Sequence, residues 1–223
     1  MERIQQLYSD LSRLGRETEM MDTVIHMLAD DLMEATVADG NTRQTVLSRV
    51  VDGGFELAEL IADRLGLPWA AAWESEPEDD IRSRYRRAHL AFFAAAAHLT
   101  SLPEDTVLDY RGLQLRPGEV VPQRVAEVIL SHDALGTAWS IEEADPDSVL
   151  DALEALIRRL GSTNTVPALV LETEEGDRWD IGTGGQHISG DREEFVQWMA
   201  WGDGRALSSS SALPELPRLA RWT

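Results

Sequence analysis

The sequence predicts an α+β protein: a four-helix bundle with a connecting helix over residues 1–160, then a small α+β domain over residues 161–223. Two observations predict it. As far as residue 160, apolar residues recur at three- and four-residue spacing, which gathers them on one face of a helix. After Gly161 the runs are short, rich in β-branched and aromatic residues, and divided by glycine turns. With 43% hydrophobic residues in 223, the chain carries enough apolar surface for a sizeable core.

Residues 2 to 36 hold Ile4, Leu7, Leu11, Leu14, Met21, Val24, Ile25, Leu28 and Leu32 at helical spacing, as one long helix or a short one followed by a longer one. Asp39-Gly40-Asn41 breaks the pattern. Thr42 caps a second helix that carries Val46, Leu47, Val50, Val51, Phe55, Leu57, Leu60 and Ile61 and stops at Gly66-Leu67-Pro68. Residues 69 to 77 read as a loop anchored by Trp69 and Trp73. A third helix is expected from Glu78 to Thr100, its Ala-rich middle allowing close approach of a neighbour. Residues 101 to 118 read as irregular or short strand. The fourth helix is expected to start at Pro122, as its first helical residue, and to reach Trp139, and Asp147 to cap a connecting helix from Ser148 to Leu160. Val166–Thr173 and Asp177–Thr183 then read as strands joined by Glu174-Glu175-Gly176, and His187-Ile188 as the start of a third. Gly190 to Trp201 reads as a helix, Ser208 to Ser211 as a flexible polar tract, and the end as a Pro-containing tail.

Composition excludes several functions. The 20 basic residues against 40 acidic give a net charge of −20. A field of that sign repels nucleic acid and anionic membrane surfaces. Every basic residue is Arg, so no lysine Schiff base can form. There is no Cys, hence no disulfide, no thiolate ligand and no protein thiol nucleophile; any reacting sulfur belongs to a substrate. The start, MERIQQLYSDL, is charged and amphipathic rather than a signal peptide, and no apolar run reaches the ~20 residues of a membrane span, so a cytoplasmic protein is expected. No Gly-rich phosphate loop, nucleophile-elbow serine or paired-His zinc motif occurs.

Four stretches carry a resemblance. They are MLADDLMEATVADGNTRQTVLSRVVDGGFELAELI (27–61), GEVVPQRVAEVILSHDALG (118–136), DRWDIGTGGQHISGDREEFVQWMAWGDGRAL (177–207) and ALPELPRL near the end. In this order and separation the chain resembles the DinB / mycothiol-dependent maleylpyruvate isomerase family over nearly its whole length. The resemblance implies a DinB-like bundle followed by a small α+β C-terminal domain. It also implies a divalent metal, usually zinc, held by one His on the second helix and by a Glu and a His four residues apart on a later helix. In the family that metal keeps the sulfur of mycothiol as thiolate, the nucleophile for isomerisation or S-transfer.

The sequence departs from this pattern at two of the three ligands. The helix-two position falls on Arg49, the Glu is matched by Glu127, and the His position falls on Ser131. His132 is five residues from Glu127, ~140° away around a helix, a poor chelating pair. No metal is therefore expected, the alternative being an ion held by shifted ligands such as His132 and Glu127. Arg49 paired with Glu127 is either a metal-free site in the same hollow or a buried ion pair that fixes helix register. Arg49, Glu127 and His132 are the candidate catalytic residues, His132 as a proton carrier. Ser131, Trp139 and Trp179 are candidates to line the substrate cleft. Arg218 is the match to a late family Arg that reaches the substrate's carboxylate, with Arg221 as its neighbour and Arg205 as a structural residue. His26 reads as a packing residue, His89 and His98 as too far apart to chelate, and His187 as part of a turn. Arg82, Arg84, Arg86 and Arg87 read as a solvated face paired with Glu78, Asp79 and Asp80.

The expected function is a metal-independent transferase or isomerase acting on mycothiol or a related low-molecular-weight thiol conjugate, in a specialised biosynthetic setting. The alternative is a non-catalytic ligand-binding or regulatory protein on the same scaffold. Either would act as a monomer or homodimer on a small-molecule thiol.

Overall fold

The structure is a computed structural model and describes residues 2–37, 40–68, 80–163 and 166–216. The N-terminal pattern resolves into a long helix, α1 (Glu2–Met27), followed by one turn, α2 (Asp30–Met33). Helix α3 (Arg43–Leu65) is bounded as its sequence dictates. The Thr42 hydroxyl accepts from the Thr45 amide at 3.1 Å, and Gly66 closes the last turn at φ +64°, a conformation that costs a residue without Cβ little. Helix α4 (Ile81–Ala96) starts at Asp80, whose carboxylate accepts from two first-turn amides, and ends four residues before Thr100. The expected loop with Trp69 and Trp73 lies outside the described residues.

Residues 101–118 hold a hairpin, β1 (Leu108–Tyr110) and β2 (Leu113–Leu115), turned by Arg111-Gly112. Both turn residues have positive φ, +51° and +78°, as a two-residue loop matched to strand twist requires. Helix α5 (Val120–Ala134) begins before Pro122, so the proline is its third residue, and it stops five residues short of Trp139. Every residue from Val120 to His132 except Pro122 is buried, which makes α5 the centre of the bundle, packed against α1, α3 and α6. Helix α6 (Pro146–Gly161) is capped by Asp145 rather than Asp147, because Pro146 takes the first helical position where no amide is needed.

After α6 comes a four-stranded sheet ordered β4-β3-β5-β6, with β3 (Leu169–Thr173), β4 (Arg178–Ile181), β5 (Gln186–Gly190) and β6 (Ser208–Ser209). The β3–β5 pair is parallel and the others antiparallel. Ser208 and Ser209 are thus paired with β5 rather than free, and Gln186 holds the segment by donating to the Ser209 hydroxyl and to the carbonyls of Ser211 and Ala212. Helix α7 (Arg192–Trp201), capped by Asp191 and Glu194 reciprocally, packs on α6. Leu169, Leu171, Ile188 and Phe195 belong to the same apolar core as Leu14, Leu47 and Ile129 of the bundle. Among the described residues no helix is long and apolar enough to cross a membrane.

Candidate functional site

Two of the most buried charges in the bundle come from one stretch of α5. In VVPQRVAEVILSH, Arg124 and Glu127 are three residues apart and share a face. The Arg124 guanidinium donates from Nη1 to Glu127 Oε2 at 2.9 Å, and the two residues are 2% and 3% exposed. They face α3 at Gly53-Gly54. A Cβ at Gly53 would lie 2.7 Å from Glu127 Oε2 and 2.8 Å from the Tyr110 hydroxyl. One at Gly54 would lie 2.7 Å from Arg124 Nη2 and 3.2 Å from the Ala88 Cβ on α4. Two consecutive glycines inside a helix cost about 1 kcal/mol each relative to alanine. Here they let charged groups press against the α3 backbone.

The hairpin supplies Tyr110, and α6 supplies Arg159. Tyr110 is buried; burial and then the charge of Glu127 hold its hydroxyl far above the ordinary phenol range, so it stays protonated. Arg111, next to it, is fixed by a two-pronged bond to Glu56 at 2.7 and 2.9 Å. Burial works against the charge of Arg159, while Glu127 and Tyr110 favour it. Gln123 is fully buried, and neither its side-chain oxygen nor its nitrogen has a hydrogen-bond partner among the described residues. The same holds for Glu127 Oε1. Four elements therefore converge on one polar locus: a protonated phenol, a guanidinium–carboxylate pair and a second guanidinium, in an apolar bundle where each charge acts strongly.

The expected Arg49–Glu127 pair is not formed. Arg49 is half-buried and donates to Asn41 Oδ1 at 2.9 Å. The register explains this. Arg43 on α3 donates to the carbonyl of Leu135 at the end of α5, at 2.8 Å, so the helices run antiparallel and Gly53, one turn past Arg49, sits opposite Glu127. Glu127 takes its partner from its own helix instead. Ser131 is buried one turn beyond Glu127.

His132 is 1% exposed and lies on another face of α5, stacked on Trp139 with ring centroids 3.9 Å apart and planes 7° from parallel. Burial pulls it down to about 4, so the imidazole is neutral at pH 7. Trp179 stands opposite Leu171 on the core-facing side of the sheet, half-buried. Arg218 and Arg221 lie outside the described residues. Arg205 is fully exposed, bonded to Asp203 at the rim of an acidic hollow of about 510 Å3 beside α7.

The remaining expectations change in detail. His26 is exposed and bonded to the Asp22 carbonyl rather than packed, and His187 pairs with Glu172 on the open sheet face at 2.8 Å. Three arginines of α4 reach other helices: Arg82 caps the end of α1 through the Ile25 and Leu28 carbonyls, Arg84 pairs with Asp52 and Arg86 with Asp22; Glu78 and Asp79 lie outside the described residues. Sequence reasoning missed Arg124, Tyr110, Arg159 and the glycine pair. The signal that could have found them is Gly-Gly within a helical stripe, together with Arg-x-x-Glu inside an otherwise apolar run.

The residues do not fit the metal that the resemblance implies. Among the described residues no group of three His, Asp or Glu side chains could hold an ion. The carboxylate that would bind one faces a guanidinium, which repels a cation.

The architecture is that of the DinB-like bundles joined to a small α+β unit, the class that the sequence motifs resemble. Within it, the chain is similar to the crystal structure of the mycothiol-dependent maleylpyruvate isomerase and to that of a mutant of the same protein. Each comparison has a TM-score of 0.65 at 18% sequence identity, covering 97% of this chain and 95% of that one. At that identity the likeness fixes the fold. No family model matches the sequence, and no curated protein does.

Proposed function

We propose that the protein is a transferase or isomerase acting on a conjugate of mycothiol or a related low-molecular-weight thiol, and that the Arg124–Glu127–Tyr110 locus does its chemistry without a resident metal. The observation that supports this most is the glycine pair, which gives up helix stability to admit a charged pair and a phenol at one point of the bundle interior. The similarity in fold to a mycothiol-dependent isomerase supports a thiol as substrate class. The thiol supplies the nucleophilic sulfur. Arg124 favours a thiolate or an oxyanion beside it, as a cation in a low-dielectric site does. Tyr110, kept protonated by burial, is a hydrogen-bond donor to developing negative charge. Glu127 orients the guanidinium. Arg49 and Ser131, on neighbouring turns, and Arg218 in the tail are the groups proposed to contact the rest of the substrate, in a cytoplasmic protein.

A second reading, a ligand-binding protein without turnover, is favoured by the engagement of Glu127 Oε2 by Arg124 at 2.9 Å. Turnover of a mycothiol S-conjugate by the purified protein separates the two. The proposal expects thiol-dependent turnover that falls at least tenfold in Glu127→Gln and in Tyr110→Phe. Thermal stabilisation by the conjugate with no turnover selects the second reading. Turnover unchanged in both variants removes this locus from the chemistry.

A further inference from the structure

Away from this locus, α1 and α6 meet through buried charge. Arg13 on α1 donates from Nε and Nη2 to Asp151 Oδ2 on α6, at 3.0 and 2.7 Å, and from Nη2 to Asp10 Oδ1 at 2.9 Å. Gln6 donates to the same Asp10 oxygen at 2.8 Å. Asp10, Arg13 and Asp151 are 4%, 7% and 8% exposed. One turn on, Glu17 is 1% exposed; one of its oxygens accepts from the Asp145 amide at 3.1 Å and the other has no hydrogen-bond partner among the described residues.

The other charges around this layer are exposed or already paired. Asp147 lies 3.9 Å from Arg13 and is exposed, as is Glu154 on the same helix. Arg16 is exposed and paired with Asp145 at 2.8 Å. On α7, Arg192 is held by Asp177 at 2.7 Å, and on α5 Arg124 and Glu127 hold each other. Two buried aspartates thus share one buried guanidinium, and a third buried carboxylate, Glu17, lies one turn on with no arginine bonded to it among the described residues. A second uncompensated carboxylate in such surroundings takes up a proton rather than remain charged. Burial is the largest influence on all three. It pushes Asp151 up to about 7, and Asp10 and Glu17 upward, with Arg13 opposing it at both aspartates.

We propose that Asp10 and Asp151, both accepting from Arg13, hold one proton as a pair in the folded protein, and that its loss to solvent loosens α6 from α1. The sign follows from linkage. A carboxyl that holds its proton more tightly when folded adds stability below the ordinary carboxylate range, and this is lost as pH rises towards 7. Helix α6 also carries Arg159, whose charge acts on Glu127 and Tyr110, so the shared proton is a pH-sensitive lever on the bundle interior.

Infrared spectra of the intact protein at pH 6 are expected to show a protonated-carboxyl band that weakens in Asp151→Asn and in Asp10→Asn, where the single remaining aspartate ionises against Arg13. From pH 5 to 8, the melting temperature of Asp151→Asn should rise by several degrees relative to wild type. Hydrogen-exchange protection of α6, corrected for intrinsic rates, should fall over the same range in wild type alone. The Asp10→Asn variant and the wild-type band keep the test open should Asp151→Asn not fold. Parallel melting profiles, or no protonated-carboxyl band in wild type at pH 6, overturn the proposal.

Discussion

Glu127 and Arg124 are each other's main compensation at their point in the bundle interior. Removing one partner of a buried pair strands the other charge, at a cost of about 3–5 kcal/mol, whereas replacing both with apolar residues is often neutral. Urea unfolding should therefore show Glu127→Leu strongly destabilised and Arg124→Met/Glu127→Leu substantially recovered; equal losses in the two would mean that the pair is not coupled. Gly54→Ala tests the opposing face. Alanine raises helix propensity by about 1 kcal/mol, but its methyl would meet Arg124 at 2.7 Å and the Ala88 methyl at 3.2 Å. Overpacking costs typically 1–3 kcal/mol, so the variant should be less stable than wild type, against what propensity alone dictates. His132 gives a pH signature. Its folded value of about 4 lies below the free value, so its contribution is present above about 6.5 and lost as pH falls towards 4. His132→Phe, which keeps a ring on Trp139, should flatten part of the acid side of the stability curve measured by thermal melts.

At the scale of elements, the helix stripes, the Thr42 and Gly66 caps and the β3–β4 hairpin were legible because each rests on local chemistry: a hydroxyl before a stripe, a glycine after it, a turn between two β-rich runs. What was not legible depended on register between distant segments. The α3–α5 antiparallel offset moves the contact with Glu127 from Arg49 to Gly53, and nothing within either helix states that offset. Tyr110 enters through a hairpin of three-residue strands, too short to show alternation. The parallel β3–β5 pairing is equally non-local, and it leaves a trace at Gly185. A Cβ there would stand 2.1 Å from the Ala168 carbonyl carbon and the Leu169 amide nitrogen. Backbone cannot yield as a side chain can, so Gly185→Ala should part β5 from β3. Near-ultraviolet circular dichroism, which senses Trp179 on the core-facing side of this sheet, is expected to lose signal while the helical far-ultraviolet spectrum persists.

For the whole molecule, a net charge of −20 stores self-repulsion that salt relieves, so stability should climb with moderate NaCl in thermal melts. The same charge makes buried Arg124 and the half-buried Arg111 and Arg159 near it stand out as local positive groups in an acidic protein. The fold class was legible from four ordered motifs, while the centre of the candidate site was legible only at Glu127, since the motif positions mark where relatives place ligands rather than what replaces them. The most direct measurement is a crystal structure of the protein grown with a mycothiol S-conjugate. The conjugate's sulfur is expected within contact distance of the Tyr110 hydroxyl and the Arg124 guanidinium, opposite Gly53. A sulfur bound elsewhere, or a metal ion coordinated by Glu127 in place of Arg124, would contradict it.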